Sequence, residues 1–577
     1  MSTEVPARRS TGSTSPDGGT SVPVEERGPE PKTEPKTEPG TGPGVGTDDR
    51  GAVVTGTAAP GRHWLSGRPF RRTHLLEAAV IGLAVIALAY VFRSIVVPTD
   101  PWHYVRAALH FPSTGWVALG YTRYGIVLAN IPVAVVFGNA QATYYFWPIL
   151  SSGLMAAGVY LIGRRFWGPV AGLAAVALLI SNRVIFYNLS RGYPDIMSMA
   201  LFVGAILCAL AARDQQANAR RAWPWLLATG FLLGWGFEVR ETSLLVWPLI
   251  AVILVQRRHL LRTAVLVALP IVGWAALDVL ISWVAYEDPL LKYHVLTGLD
   301  VSLAETATGE AKNAAILNQP RSFYVTYIPD LALKSEGGLW MVLIGAVTLV
   351  GLFVRNNAVR LMSLWFLLAY GLTVLAGGAL DPAHPRGLLH VERYWIPFVP
   401  SMALASVGLV AVTVQWVARH SPLRRASRGL VAVLGTALAV VLCFGPVAFA
   451  ARYASSNPAF APAGGAALEE LRSELDRRDF KGGRIFTDWE TVRIFDAYQR
   501  PFFGGTKDYP GQARSITGGP QPQPGDYVVL WQKNSKTCGF CSFALKPWTV
   551  KHPDGPPPSW KAEYTTSHGI LTLYRVQ

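Results

Sequence analysis

At 577 residues the chain exceeds one ordinary core, and length alone would allow roughly three or four domains. Composition narrows this: 51% of residues are apolar and 15% charged, against about 25% charged in soluble chains, and mean hydropathy is +0.28. A soluble enzyme, a nucleic-acid binder and a disordered regulator are therefore excluded for the chain as a whole. The net charge of +15 becomes a question of topology, because Lys and Arg gather on the cytoplasmic side of membrane proteins.

Residues 1–60 are rich in Pro, Gly, Thr, Ser and Glu, contain the short repeat EPKTEPKTEPG and hold no aromatic residue. Such a segment buries too little apolar surface to offset its ordering entropy, and is expected to be a disordered cytoplasmic tail. No apolar stretch follows a basic start, so it does not read as a signal peptide.

Residues 61–450 form the expected membrane domain. A basic cluster (Arg62, Arg68, Arg71, Arg72) precedes an apolar run at 75–97, long enough to span. Further runs lie at 142–162, 169–187, 195–212, 222–239, 242–256, 263–285, 338–354, 360–379, 394–417 and 430–450, which makes eleven. A twelfth, 123–137, is ambiguous, and charge arbitrates. If 123–137 does not cross, then Arg164 and Arg165, Arg213 to Arg221, Arg257 to Arg262, Arg355 and Arg360, and Arg419 to Arg428 all fall on the cytoplasmic side with Arg68 to Arg72. This topology puts the N-terminus in the cytoplasm. The large loops 98–141 and 286–337, and everything after 450, lie outside, so any active site faces outward.

Residues 451–577 have globular composition and read as a small extracytoplasmic α/β domain. An amphipathic helix is expected at 467–478, with strands at 483–488, 526–532 and 570–576. Cys538 and Cys541 form a CxxC pair, which in this compartment is expected to be a local disulfide. Cys208 and Cys443 lie in predicted spans and read as inert apolar residues.

Charges at membrane edges are costly and therefore informative. Asp100, in VPTDPWHYVRAALHF, follows the first span and precedes His103 and Tyr104. A carboxylate there can act as general base, and Asp before Pro is equally a good helix start. Asp195, in SRGYPDIMSMALF, opens another helix beside Arg191 and Tyr193. Arg240 and Glu241, next to Glu238 in GFEVRETSLL, occupy an outer hairpin where a shielded guanidinium suits a phosphate; a salt-bridged turn is the simpler account. Glu392 and Arg393 precede a span whose Tyr394 and Trp395 fit the aromatic belt.

Two candidate catalytic acids, Asp100 and Asp195, with several arginines on one face suit an anionic, lipid-linked substrate entering from the bilayer. The acid would deprotonate an acceptor hydroxyl and the arginines would hold a phosphate leaving group. No phosphate-binding glycine loop and no HExxH or Cys/His cluster of metal spacing appears. No cofactor is called for, no metal ligand is assigned, and a divalent ion on the outer acids remains open.

The order of TDPWHYVRAA, YLIGRRFWGPVAGLAAVALL, SRGYPDIMSMALF, GFEVRETSLLVWPL and RYWIPFVPSMAL resembles the glycosyltransferase C superfamily. The likeness is to bacterial family-39-like enzymes related to dolichyl-phosphate-mannose protein mannosyltransferases, over roughly 75–450. It implies a polytopic α-helical fold of about eleven spans with juxtamembrane helices in the first outer loop. It implies a polyprenyl-phosphate sugar donor and inverting transfer to a hydroxyl on a glycan, lipid or protein. It also implies that Asp100 is the catalytic base. Two features differ from the family pattern: Pro101 follows Asp100 where relatives often carry a second acid, and YTRYGIVLAN, with Arg123 and Tyr124, stands where many have Pro-Pro-Leu. The sugar and the acceptor, cell-wall polysaccharide included, are left open. A lipid or glycan transporter is the alternative, but internal repeats or paired broken helices would be expected of it.

Overall fold

The structure is a computed structural model. It describes residues 70–111, 123–215, 219–255, 260–297, 316–383, 389–420, 464–478, 484–498, 513–517, 520–532 and 539–577 apart from 568, with isolated positions at 65, 385, 502 and within 433–452. The expectations for residues 1–60, most of 430–450, Cys538 and the Cys541 side chain lie outside the described residues.

The chain is mostly helical. In order come α1 (Arg72–Val91), α2 (Asp100–Leu109), α3 (Tyr124–Phe137), α4 (Gln141–Trp167), α5 (Pro169–Ser181), α6 (Arg183–Asn188), α7 (Pro194–Asp214), α8 (Ala219–Val239), α9 (Trp247–Leu254), α10 (Leu260–Tyr286) and α11 (Leu291–Thr297). Helices Arg321–Leu333, Gly338–Val350, Asn357–Val374 and Val399–His420 follow.

Among the described residues six helical segments are long and apolar enough to cross a membrane: Arg72–Val91, Gln141–Trp167, Pro194–Asp214, Leu260–Tyr286, Asn357–Ala379 and Glu392–Val417. They match six of the eleven expected runs, and 222–239 is the 21-residue α8. Three other runs are shorter or broken. The run 169–187 is two helices, because Asn182 ends α5 and caps α6, its Oδ1 accepting from the Val184 N–H at 3.0 Å. The run 242–256 begins as a tight 3-10 turn, Glu241–Val246, before α9. The run 338–354 likewise ends in a 3-10 turn after Val350. Tyr124–Phe137, at 14 residues, is about 21 Å long, less than the roughly 30 Å hydrocarbon core.

Helices α4 and α7 are central and largely buried, whereas α10 turns Leu269, Val272 and Trp283 outward. An apolar surface of that kind is what lipid covers.

After residue 464 the chain forms a small α/β domain on a five-stranded sheet of order β2-β1-β3-β5-β4. Here β1 is Ile485–Thr487, β2 Ala513–Ser515, β3 Tyr527–Trp531, β4 Trp560–Thr565 and β5 Leu571–Val576. β1 runs parallel to β2 and β3, while β5 is antiparallel to β3 and β4. Phe486, Ile516, Val528, Leu530, Leu545, Trp548 and Val576 fill one face. The domain packs on the end of the bundle where α1 leads into α2. Arg93 pairs with Glu469 at 2.9 Å, Tyr145 and Tyr498 share a hydroxyl contact of 3.0 Å, and the Phe502 ring lies 4.9 Å from Tyr90.

Candidate active site

Asp100 is the first residue of α2, with Pro101 in the position that leaves a helix-starting N–H unneeded. Two close backbone approaches hold its surroundings. A Cβ on Gly192 would stand 2.8 Å from Pro101 Cβ, so only glycine lets the 190–194 segment lie against the start of α2. A Cβ on Gly125 would stand 2.7 Å from the Glu238 carbonyl carbon and Val239 nitrogen, so α3 touches the end of α8. The second contact brings Arg123, just before α3, to Arg240 and Glu241, just after α8.

Three acids and three guanidiniums meet there. Arg123 Nη1 lies 3.8 Å and Arg393 Nη2 3.7 Å from Asp100 Oδ2. Both distances exceed hydrogen-bond length, so the carboxylate stands in a positive field with room for a proton donor between. Arg123 also donates to the Tyr104 hydroxyl and approaches Glu241 Oε1 at 3.5 Å. Arg393 stacks on Tyr193, 3.8 Å from the ring centre, and Arg240 on Tyr394 at 4.6 Å.

Asp195 differs from Asp100. It is buried in the first turn of α7, and its Oδ1 lies 3.1 Å from Arg240 Nε. Asp195 Oδ2 and Arg240 Nη1 are buried with no hydrogen-bond partner among the described residues. Two desolvated ions left partly unmatched are costly in a fold that needs them only for shape.

The remaining candidates divide. Tyr104 and Tyr193 join the cluster through Arg123 and Arg393. Tyr124 lies near it, its hydroxyl 3.2 Å from Ser282 Oγ. His103 sits on α2 with its ring against Trp102, and burial, then the charge of Arg493, hold its pKa down at about 4 against the pull of Asp100. It is neutral at pH 7. Arg191 is drawn onto the Tyr187 ring at 3.5 Å, and Glu392 pairs with Arg183 at 3.2 Å. Neither contact reaches Asp100 or Asp195.

Residues that match a curated family begin within α3. Residues 131–283 match the family model of dolichyl-phosphate-mannose-protein mannosyltransferase. This stretch holds Asp195, Arg240 and Glu241 but not Asp100 or Arg393, and it is the family that the sequence resembles. No match is found among curated protein sequences. Among solved structures, ArnT from Cupriavidus metallidurans bound to undecaprenyl phosphate is similar at 12% identity and TM-score 0.48, over 87% of this chain and 97% of that one. The Archaeoglobus fulgidus oligosaccharyltransferase tethered with an acceptor peptide is similar at 12% identity and TM-score 0.43, over 88% and 74%.

Two charged residues beside the cluster escaped the sequence reading. Lys292, on α11, pairs with Glu238, stands 3.9 Å from Asp278 Oδ1 and lies over the Phe237 ring at 4.7 Å. Asp278 left a signal, a lone acid inside the apolar run 263–285. Lys292 left none, being one cation in a long polar loop. Among the described residues no three His, Cys, Asp or Glu side chains converge as a metal set. An apolar cleft lined by Leu233, Leu244, Trp247, Leu260, Val267 and Ile271 opens between α8, α9 and α10. Leu244, in its lining, is three residues past Glu241 in the chain.

Proposed function

We propose that the protein is an integral membrane glycosyltransferase. It moves a sugar from a polyprenyl-phosphate donor to an acceptor hydroxyl, with inversion, on the outer face of the membrane. The N-terminus lies in the cytoplasm and the C-terminal domain outside. The observation that carries this reading is the Asp100 carboxylate standing between Arg123 and Arg393, beside the buried Arg240 whose Nη1 has no hydrogen-bond partner among the described residues. The family matched over 131–283 takes its name from a sugar carried on dolichyl phosphate, which supports the same donor class.

Asp100 accepts the proton of the acceptor hydroxyl as its oxygen attacks the anomeric carbon on the face opposite the phosphate. The bond between that carbon and the phosphate oxygen breaks, and its electron pair stays on the oxygen. The phosphate goes from a diester with one negative charge to a monoester that gains another. Guanidiniums held in a low-dielectric, prearranged site stabilise that developing charge more than the ground state. The proton then leaves Asp100 to water. The polyprenyl chain has an apolar route in the cleft between α8, α9 and α10.

Purified protein offered a panel of synthetic polyprenyl-phosphate sugars should release free polyprenyl phosphate from one of them. A cooperatively folded preparation that is silent across the panel contradicts the proposal and favours transport.

A further inference from the structure

Among the described residues, the C-terminal domain reaches the first outer loop through one short helix, Trp489–Ala497, and the contacts fall on both sides of Asp100. Arg493 Nη1 donates to the carbonyl of Pro98 at 2.9 Å, two residues before Asp100. Asp496 Oδ2 accepts from the indole N–H of Trp102 at 3.1 Å, two residues after it. Residues three apart share a helix face, so one face of one helix grips both flanks of the candidate base.

The grip extends further. The Arg493 guanidinium also lies over the Trp102 ring at 5.0 Å. Asp496 Oδ2 pairs with Arg106 at 3.5 Å, one turn along α2 from Trp102. Asp496 Oδ1 accepts from Asn139 Nδ2 at 3.0 Å, and Asn139 Oδ1 accepts from the Tyr144 hydroxyl at 3.0 Å. One carboxylate thus ties α2, the turn between α3 and α4, and α4 itself. The Thr99 side chain does not cap α2, so the start of a ten-residue helix is held from outside. An isolated helix of that length is marginal in water.

We propose that Arg493 and Asp496 are positioning residues for Asp100, and that the C-terminal domain completes the active site. This rests on Asp100 being the base. Neither residue touches substrate; they fix the backbone from which the carboxylate projects.

The test uses the full chain in lipid nanodiscs, comparing Arg493→Ala, Asp496→Ala, Asp496→Glu and a control, Arg484→Ala. The control breaks the 2.9 Å pair between Arg484 and Asp526 in the same domain. Hydrogen exchange is followed across residues 98–111, a readout that needs no substrate. Arg493→Ala and Asp496→Ala should speed exchange there while the spans and the sheet keep wild-type protection; the control should not.

In turnover with a donor that the wild type uses, both alanine variants should lose about tenfold or more in kcat, with donor KM within about twofold, since an error near 1 Å costs about a hundredfold in such geometry. Asp496→Glu, which keeps two acceptor oxygens, should recover part of the loss. Unchanged exchange at 98–111 in both alanine variants overturns the clamp, whatever reaction the protein performs. Faster exchange with wild-type kcat overturns the positioning role, even with the clamp standing. Failure of the base reading shows separately, as an Asp100→Asn variant that turns over normally.

Discussion

Asp100 and Asp195 carry the same group and sit in similar sequence, each opening a helix next to a proline, yet the structure puts them in different surroundings. Asp100 stands 3.7 and 3.8 Å from two guanidiniums and keeps its lone pairs open. Asp195 is buried against Arg240. Removing one member of such a buried pair leaves an uncompensated charge, which costs about 3–5 kcal/mol. Asp195→Ala should therefore lower the melting temperature in detergent clearly, whereas Asp195→Ala with Arg240→Leu should recover part of it; equal melting of single and double variants would argue against the pairing. Arg393→Gln should lower kcat with the active donor by about tenfold, the loss of one charge-assisted hydrogen bond that is stronger to the departing phosphate than to the bound donor, with the melting temperature little changed. Membrane-edge charge picked out Asp100, Asp195, Arg240 and Arg393 in the sequence because charge there is costly. It could not say where a long side chain would turn, which is why Arg191 and Glu392, drawn to Tyr187 and Arg183, looked equivalent to them.

Helix Trp489–Ala497 shows what an element adds. The sequence predicts β1, β3 and β5 from their apolar runs, and the helix expected at 467–478 runs over Gly464–Arg477. Helix Trp489–Ala497 is not among those expectations, although Asp488 caps it by accepting from the Glu490 and Thr491 N–H groups at 3.1 and 2.9 Å. The cap follows the strand directly, so no turn signal separates the two. β2 has three residues and β4 is polar along much of its length, which hid them as well. The same helix buries Glu490 to 3% exposure, and burial pushes its carboxyl up to about 7 from the usual 4.5, with Arg493 opposing. The folded domain therefore holds a proton on Glu490 that the unfolded chain releases. That contribution to stability is present below about pH 4.5 and is lost as pH rises through about 7. Between those values, melting of Glu490→Gln compared with wild type should show the variant gaining relative stability as pH rises. A constant difference from pH 4.5 to 8 would contradict it.

At the scale of the molecule, the basic turns and the site are two readings of one charge distribution. Among the described residues, the cations that predict a cytoplasmic side fall at helix ends, Arg72 at the start of α1, Arg165 at the end of α4 and Arg213 at the end of α7; Arg165 forms a two-point pair with Asp214 at 2.7 Å. The acids and arginines of the site gather at the other end, under the C-terminal domain. Hydropathy made the helical membrane class legible in the sequence. Helix ends were less so, because a broken helix and a continuous one have the same apolar content, as 169–187 and 242–256 show. Single cysteines introduced at Ser473 and at Arg360 should be labelled in intact cells by an impermeant maleimide at the first position and not at the second; the reverse pattern would invert the topology and with it the proposed side of reaction.

The central claim is that Asp100 takes the acceptor proton in sugar transfer from a polyprenyl phosphate. Single-turnover transfer by purified wild type and Asp100→Asn, with the donor found active and at saturating acceptor, tests it most directly. Loss of a general base should slow the variant by about a hundredfold to ten-thousandfold, with donor affinity and melting temperature close to wild type. Transfer within a few-fold of wild type would remove Asp100 from the chemistry.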